Sequence, residues 1–158
     1  ELIKEKNQNE LSYFDKGMRE YKIKNFSIAV DFFTKSIKLK PTEQNLFNRG
    51  KAYFAIGNYD LAINDYLKAI ELNTKREYFY KLAEAQYNNK NLKIAKSIYT
   101  KLIRTDWIES EFEAYFERGK IHYELGKYQR AKKDFKKALE IYPEHKESQM
   151  MIIKINSK

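Results

Sequence analysis

The stretch Leu46-Phe47-Asn48-Arg49-Gly50-Lys51-Ala52-Tyr53, followed by Gly57-Asn58-Tyr59 and then Ala62, Tyr66, Ala69 and Leu72, decides the fold. Apolar residues recur at helical spacing on both sides of a Gly-Asn turn, as in Ile63, Tyr66, Leu67 and Ile70. The same unit returns along the chain. Ala29, Ala62, Ala95 and Ala131 stand 33, 33 and 36 residues apart. Three residues before each alanine sits Phe26, Tyr59, Leu92 or Tyr128, and four after it sits Phe33, Tyr66, Tyr99 or Phe135. Twelve residues before it sits Gly17, Gly50, Ala83 or Gly119.

Helix packing accounts for these choices. Each unit reads as two antiparallel helices. The small residue of the first helix and the alanine of the second allow close approach, and the aromatics fill the space between. One unit alone cannot bury its apolar face, so the units stack. Helix pairs are expected at about 10–22 with 26–40, 43–56 with 59–73, 76–89 with 92–105, and 109–125 with 128–141. The turns within pairs fall at Lys24–Asn25, Gly57–Asn58, Lys90–Asn91 and Gly126–Lys127. Three extra residues around Asp106–Ser110 predict a lengthened turn or an extended helix start. A last segment, about 144–156, reads as a closing helix that covers the final unit.

A period near 34 residues, with small residues at two fixed places and aromatics between them, resembles the tetratricopeptide repeat. The resemblance covers roughly residues 10–143. It implies an all-α, right-handed superhelical solenoid of helix-turn-helix repeats with a C-terminal capping helix. It divides one domain, 1–158, into repeats of about 10–42, 43–75, 76–111 and 112–145. The second repeat matches the family pattern best. The third matches least, with Ala83 for Gly, Leu92 for Tyr and Leu102 for Ala. Pro41 and Pro143 close repeats as the family often does, while Thr74 and Trp107 stand in the other two places.

Composition narrows the function classes. All five glycines fall at helix-packing or turn positions of the repeat, which leaves none for a phosphate-cradling loop. There is no cysteine, hence no disulfide, thiolate metal site or cysteine nucleophile, and the absence fits the cytoplasm. No apolar run approaches the ~18 residues of a membrane span. The two histidines, His122 and His145, show no ligand spacing. Acidic pairs such as Glu111 and Glu113 stand two apart, on different helix faces. No catalytic residue, cofactor or metal is expected, and the chain is read as a non-enzyme.

The resemblance places certain first-helix positions on a concave, partner-binding groove. Here they include Phe14, Met18 and Tyr21 in the first repeat, and Phe47, Asn48, Lys51 and Phe54 in the second. The third and fourth repeats add Tyr80, Lys81, Glu84 and Tyr87, and Phe116, Glu117, Lys120 and Tyr123. Two aromatic ladders emerge, Phe14–Phe47–Tyr80–Phe116 and Tyr21–Phe54–Tyr87–Tyr123. Aromatics dominate binding hot spots, so the groove suits an extended or helical segment of a partner protein. For any single ring, the alternative is a place in the scaffold between repeats. Some relatives clamp the acidic tail of heat-shock chaperones with Lys, Asn, Asn, Lys and Arg. This chain keeps Asn48 but has Phe14, Met18, Glu77 and Lys81 at the other places, so that clamp is not expected.

The net charge is +9, yet the concave positions carry more carboxylates than cations, so the surplus falls on second helices and loops. Lys90, Lys93, Lys101 and Arg104 would share one helix face as a candidate basic patch. Lys127, Arg130, Lys132, Lys133, Lys136 and Lys137 form a second run. A basic-surface module for RNA or anionic membrane is the alternative function, and a structural piece of a larger assembly a third. A solvated face is the plainer reading, and no nucleic-acid module signature is present. In the closing helix, Met150 and Ile153 are expected to pack on repeat four. Met151 and Ile155 would then meet a second copy of the chain or a further domain. The alternative is a rotated helix that packs both sets on the repeat.

Overall fold

The computed structural model describes residues 13–105 and 112–157. Among them are nine helices and no strand: α1 at 13–22, α2 Phe26–Leu39, α3 Glu43–Ala55, α4 Tyr59–Leu72, α5 Arg76–Asn88, α6 Leu92–Arg104, α7 Phe112–Glu124, α8 Tyr128–Ile141 and α9 Lys146–Asn156. The expected all-α reading holds, and the helix ends that fall among the described residues lie within about two residues of the expected ones, the expected starts near 10 and 109 falling outside them. The expectation for Asp106–Ser110 lies outside the described residues. The chain forms two compact units, Glu1–Lys90 with α1–α5 and Asn91–Lys158 with α6–α9.

Local chemistry sets the helix ends. The Thr42 hydroxyl accepts from the Asn45 N–H at 3.2 Å and caps α3, with Glu43 in the first turn against the helix dipole. Each turn within a pair passes through one left-handed residue: Lys24 (φ 65°), Gly57 (φ 81°), Lys90 (φ 64°) and Gly126 (φ 70°). The next N–H then reaches back five residues, from Asn25 to Glu20, Asn58 to Tyr53 and Lys127 to His122, at 2.8–2.9 Å. These bonds satisfy carbonyls that the helix ends leave open.

In the first unit the repeat alanines Ala29 and Ala62 are fully buried, with Phe33, Ala52, Tyr66 and Ala69 around them. Gly17 faces the Phe33 ring so closely that a Cβ would lie 2.7 Å from it, and a Cβ on Gly50 would meet Tyr66 at 2.7 Å. Each buried ring contributes about 1.5–3 kcal/mol through removal of its surface from water. That close approach is why glycine is required there. In the second unit Ala95, Ala114, Ala131 and Ala138 are fully buried, and Gly119 presses on Phe135 as its counterparts do on Phe33 and Tyr66.

The closing helix sits in the register opposite to the expected one. Ile155 is 7% exposed and packs with Ala131 and Phe135, with Met151 and Ile152 beside it. Met150 and Ile153 are the exposed pair, at 66% and 68%. The buried stripe starts at Ser148, which is fully buried and hydrogen-bonds His145 Nδ1 at 2.8 Å. From Ser148 the stripe continues through 151, 152 and 155, the spacing of one helix face.

Candidate partner-binding surface

In the first unit, the first-helix positions form a repeating arrangement of half-buried rings. Phe14 packs on Phe33 (centroids 5.8 Å apart) and Phe47 on Tyr66 (5.5 Å). Tyr21 meets Phe26 at 5.2 Å and Phe54 meets Tyr59 at 5.4 Å. Met18 lies against the Ala29–Phe33 cluster. Phe47 departs from the expected groove lining. It is only 5% exposed, wedged between Tyr66 and Tyr78 (4.4 Å), and belongs to the core. An aromatic at that position can satisfy either demand, and here two neighbouring rings enclose it.

Polar members of the set are engaged by their own helix or the one beside it. Lys51 sits over the Tyr21 and Phe47 rings at 5.1 and 5.6 Å, a cation–π placement. Asn48 donates to the Gln44 carbonyl at 2.9 Å, and Lys81 pairs with Glu84 at 2.7 Å. Tyr80 lies under the Arg76 guanidinium at 4.9 Å, and Tyr87 is half-buried on α5.

The second unit repeats the scheme and closes it. Phe116 packs on Phe135 at 5.8 Å and edge-on to His145 at 4.6 Å. Tyr123 meets Tyr128 at 5.3 Å and carries the Lys154 ammonium over its face. Lys120 pairs with Glu117 at 2.7 Å and lies over Phe116. Between α7 and α9 lies a cavity of about 340 Å³, lined by Phe116, Lys120, Tyr123, Glu124, Glu147, Met150 and Met151. Thus Met151, expected at a self-association surface, lines this cavity, and Ile155 lies beneath it in the core.

Of the candidate basic patch, Lys93, Lys101 and Arg104 are exposed on α6. Lys90 is not on the helix: its left-handed backbone places it in the preceding turn. Among the described residues no group of three or more His, Cys, Asp or Glu is placed to hold a metal ion, and no helix is long and apolar enough to cross a membrane.

Two buried ion pairs escaped the sequence reading. Arg49 grips Asp65 with two bonds of 2.7 and 2.8 Å and also donates to the Thr34 hydroxyl. Arg118 grips Asp134 at 2.9 and 2.6 Å, and His122 Nδ1–H donates to the same carboxylate at 3.0 Å. Burial holds His122 below the ordinary histidine range, against the opposing pull of Asp134. A signal was present. Arg precedes the packing glycine, and Asp follows the packing alanine by three, in repeats two and four together. The same two places hold Lys16 and Phe32, or Leu82 and Ile98, elsewhere.

Stacked two-helix units with small residues at the crossings define a helical-repeat protein. Models of the tetratricopeptide repeat match residues 46–75, 77–106 and 112–145, and the chain belongs to that family. Members are generally non-catalytic interaction modules, and family and fold support a protein–protein interaction module here. No curated protein matches the sequence. Among solved structures, a crystal structure of MamA protein is similar with a TM-score of 0.85 at 22% identity, over 96% of this chain and 82% of that one. A MamA fragment from Desulfovibrio magneticus RS-1 gives 0.84 at 16%, over 94% and 84%. Both likenesses concern the fold alone. The first repeat domain of Spaghetti (RPAP3), bound to an HSP90 peptide SRMEEVD, gives 0.67 at 26%, over 75% and 94%.

Proposed function

We propose that this chain binds a helical or extended segment of a partner protein through apolar and aromatic anchors on its first helices. The observation that carries the reading is the cavity between α7 and α9. Three of its lining side chains, Phe116, Lys120 and Tyr123, are groove positions of the repeat, and two methionines of the closing helix extend its apolar surface. Methionine adapts its shape to a partner at low cost, and half-buried rings give contact area with few rotors to freeze. Rings already held by Phe135, Tyr128 and Lys154 lose little further freedom on binding.

The acidic peptide of the RPAP3 complex is not the model for this partner. Asn48 and Lys81, the two places that retain clamp-like residues, are engaged with Gln44 and Glu84. Glu77 stands where a clamp carries a lysine. A carboxylate-rich tail would meet repulsion there. The partner segment is instead apolar on one face, with anchors at i, i+3 or i+4.

The test is a peptide selected from a helix-forming library against the full chain, with affinity read by fluorescence anisotropy. Tyr123→Ala and Met150→Glu are expected to weaken binding about ten-fold or more, a loss of ~1.4 kcal/mol each. Arg130→Gln with Lys133→Gln should leave it within two-fold, roughly. Selected peptides indifferent to Tyr123 and Met150 but sensitive to the basic pair would contradict the reading.

A further inference from the structure

We propose that the second unit carries a binding site for a compact ligand with two or more phosphate groups, in the pocket between α6, α7 and α8, away from the groove positions of α7. The pocket is a cavity of about 440 Å³, a size suited to one small molecule. Its cations come from three helices: Lys96 from α6, Arg118 from α7, and Arg130, Lys133 and Lys137 from α8. Two carboxylates oppose them. Asp134 is engaged by Arg118 and His122, and Glu140 holds Lys137 at the rim. Among the described residues, no carboxylate lies within ion-pair distance of Lys96, Arg130 or Lys133.

The first unit supplies an internal comparison. Its Arg49, Asp65 and Thr34 repeat the geometry of Arg118, Asp134 and Thr100, down to the Arg-to-Thr hydrogen bond. The ion pair is therefore scaffold, shared by both units. What differs is its surround. Where the second unit has Lys96, Arg130 and Lys133, the first has Val30, Leu61 and Asn64 at the same repeat positions. Stacking the helices does not require the three cations. Arg130 with Lys133, and Lys133 with Lys137, stand three and four residues apart on one helix, where like charges repel and destabilise. A bound anion turns that repulsion into attraction.

Charge and shape indicate the ligand class. With Arg118 committed to Asp134 and Lys137 to Glu140, three cations remain, and each phosphate group carries about −1.5 to −2 near neutral pH. Two phosphates match them. The Tyr115 ring, under the Arg118 guanidinium at 5.5 Å, is occupied and offers no stacking platform for a nucleobase. A compact polyphosphate fits better than a nucleic-acid strand.

The experiment titrates the full chain with inorganic tripolyphosphate by calorimetry at about 150 mM salt, where loose surface attraction is screened. Orthophosphate, citrate and a single-stranded RNA are run beside it. The expected result is saturable one-to-one binding of tripolyphosphate, about ten-fold or more tighter than orthophosphate and citrate. The variant Lys96→Gln/Arg130→Gln/Lys133→Gln should weaken it by a similar factor while keeping its helical signal. The variant Lys93→Gln/Lys101→Gln/Arg104→Gln removes equal charge from the outer face of α6 and should leave affinity within about two-fold. Equal losses in the two variants, citrate binding as well as tripolyphosphate, no saturable binding, or RNA binding tightest through the same three residues would each overturn the proposal.

Discussion

Gly17, Gly50 and Gly119 owe their identity to one distance. A methyl group at any of them would sit 2.7 Å from a ring carbon of Phe33, Tyr66 or Phe135. Those rings are fully buried and have no room to retreat. Gly119→Ala is therefore expected to destabilise by about 1–3 kcal/mol through overpacking, read by urea unfolding, even though alanine is the better helix former. An unchanged or raised midpoint would mean that the helices separate freely at this crossing. His122 makes a different residue-scale prediction. Its protonation is harder in the folded chain than in the unfolded one, because burial outweighs Asp134. The unfolded chain then binds the extra proton as pH falls below about 6.5, and stability drops with it, while above that pH both states are neutral. The melting temperature should decline on going from about pH 7.5 to 5.5, and His122→Gln should flatten that decline. A variant with the full wild-type slope would place the titration elsewhere.

At the scale of elements, the Arg49–Asp65 pair pins α3 to α4 and, through Thr34, to α2. Asp65 is almost fully buried, so Asp65→Asn leaves a guanidinium without its counter-charge and should cost about 2–4 kcal/mol. The double change Arg49→Leu with Asp65→Ile installs the apolar pair of the third repeat and should recover most of that loss. A double variant no more stable than the single one would show that the pair does more than fill its site. For α9, Ile155→Ala should cost about 2–4 kcal/mol, whereas Ile153→Ala should stay within about 0.5. The reverse order would restore the register first expected from the sequence. That expectation failed for a definite reason. Met150, Met151, Ile152, Ile153 and Ile155 put apolar side chains on both faces, so periodicity alone could not choose. The deciding residue was Ser148, small enough to bury and paired with His145.

For the whole molecule, the repeat was legible because its signal is steric. Four alanines spaced by one period all lie at helix crossings with no exposed surface, and the glycines with positive φ mark turns that only a few residue types tolerate. Lys24 and Lys90 occupy the same left-handed turns without being glycine, so Lys90 lies off the α6 face with which its charge was grouped. The candidate site was less legible. Phe47 and Phe116 occupy equivalent sequence positions, but Tyr66 and Tyr78 enclose the first, while the second lines a cavity beneath α9. Which ring faces a partner depends on the neighbouring unit, and a single-chain pattern does not record that. The opposition between a basic chain and an acidic first-helix face was visible at once. The particular cations that converge with Arg118 required three helices to be packed.

Chance has put three reporters on the proposed partner surface. The chain has three methionines: Met18 on the first-unit face, and Met150 and Met151 in the cavity of the second unit. Methyl-labelled methionine therefore gives an NMR spectrum of three signals, titrated with the library-selected peptide whose binding anisotropy reports independently. The account predicts saturable shifts of the Met150 and Met151 methyls at the same peptide concentration that saturates anisotropy, and their loss in Tyr123→Ala. A peptide that binds fully by anisotropy while all three methyl signals stay in place would contradict the central claim.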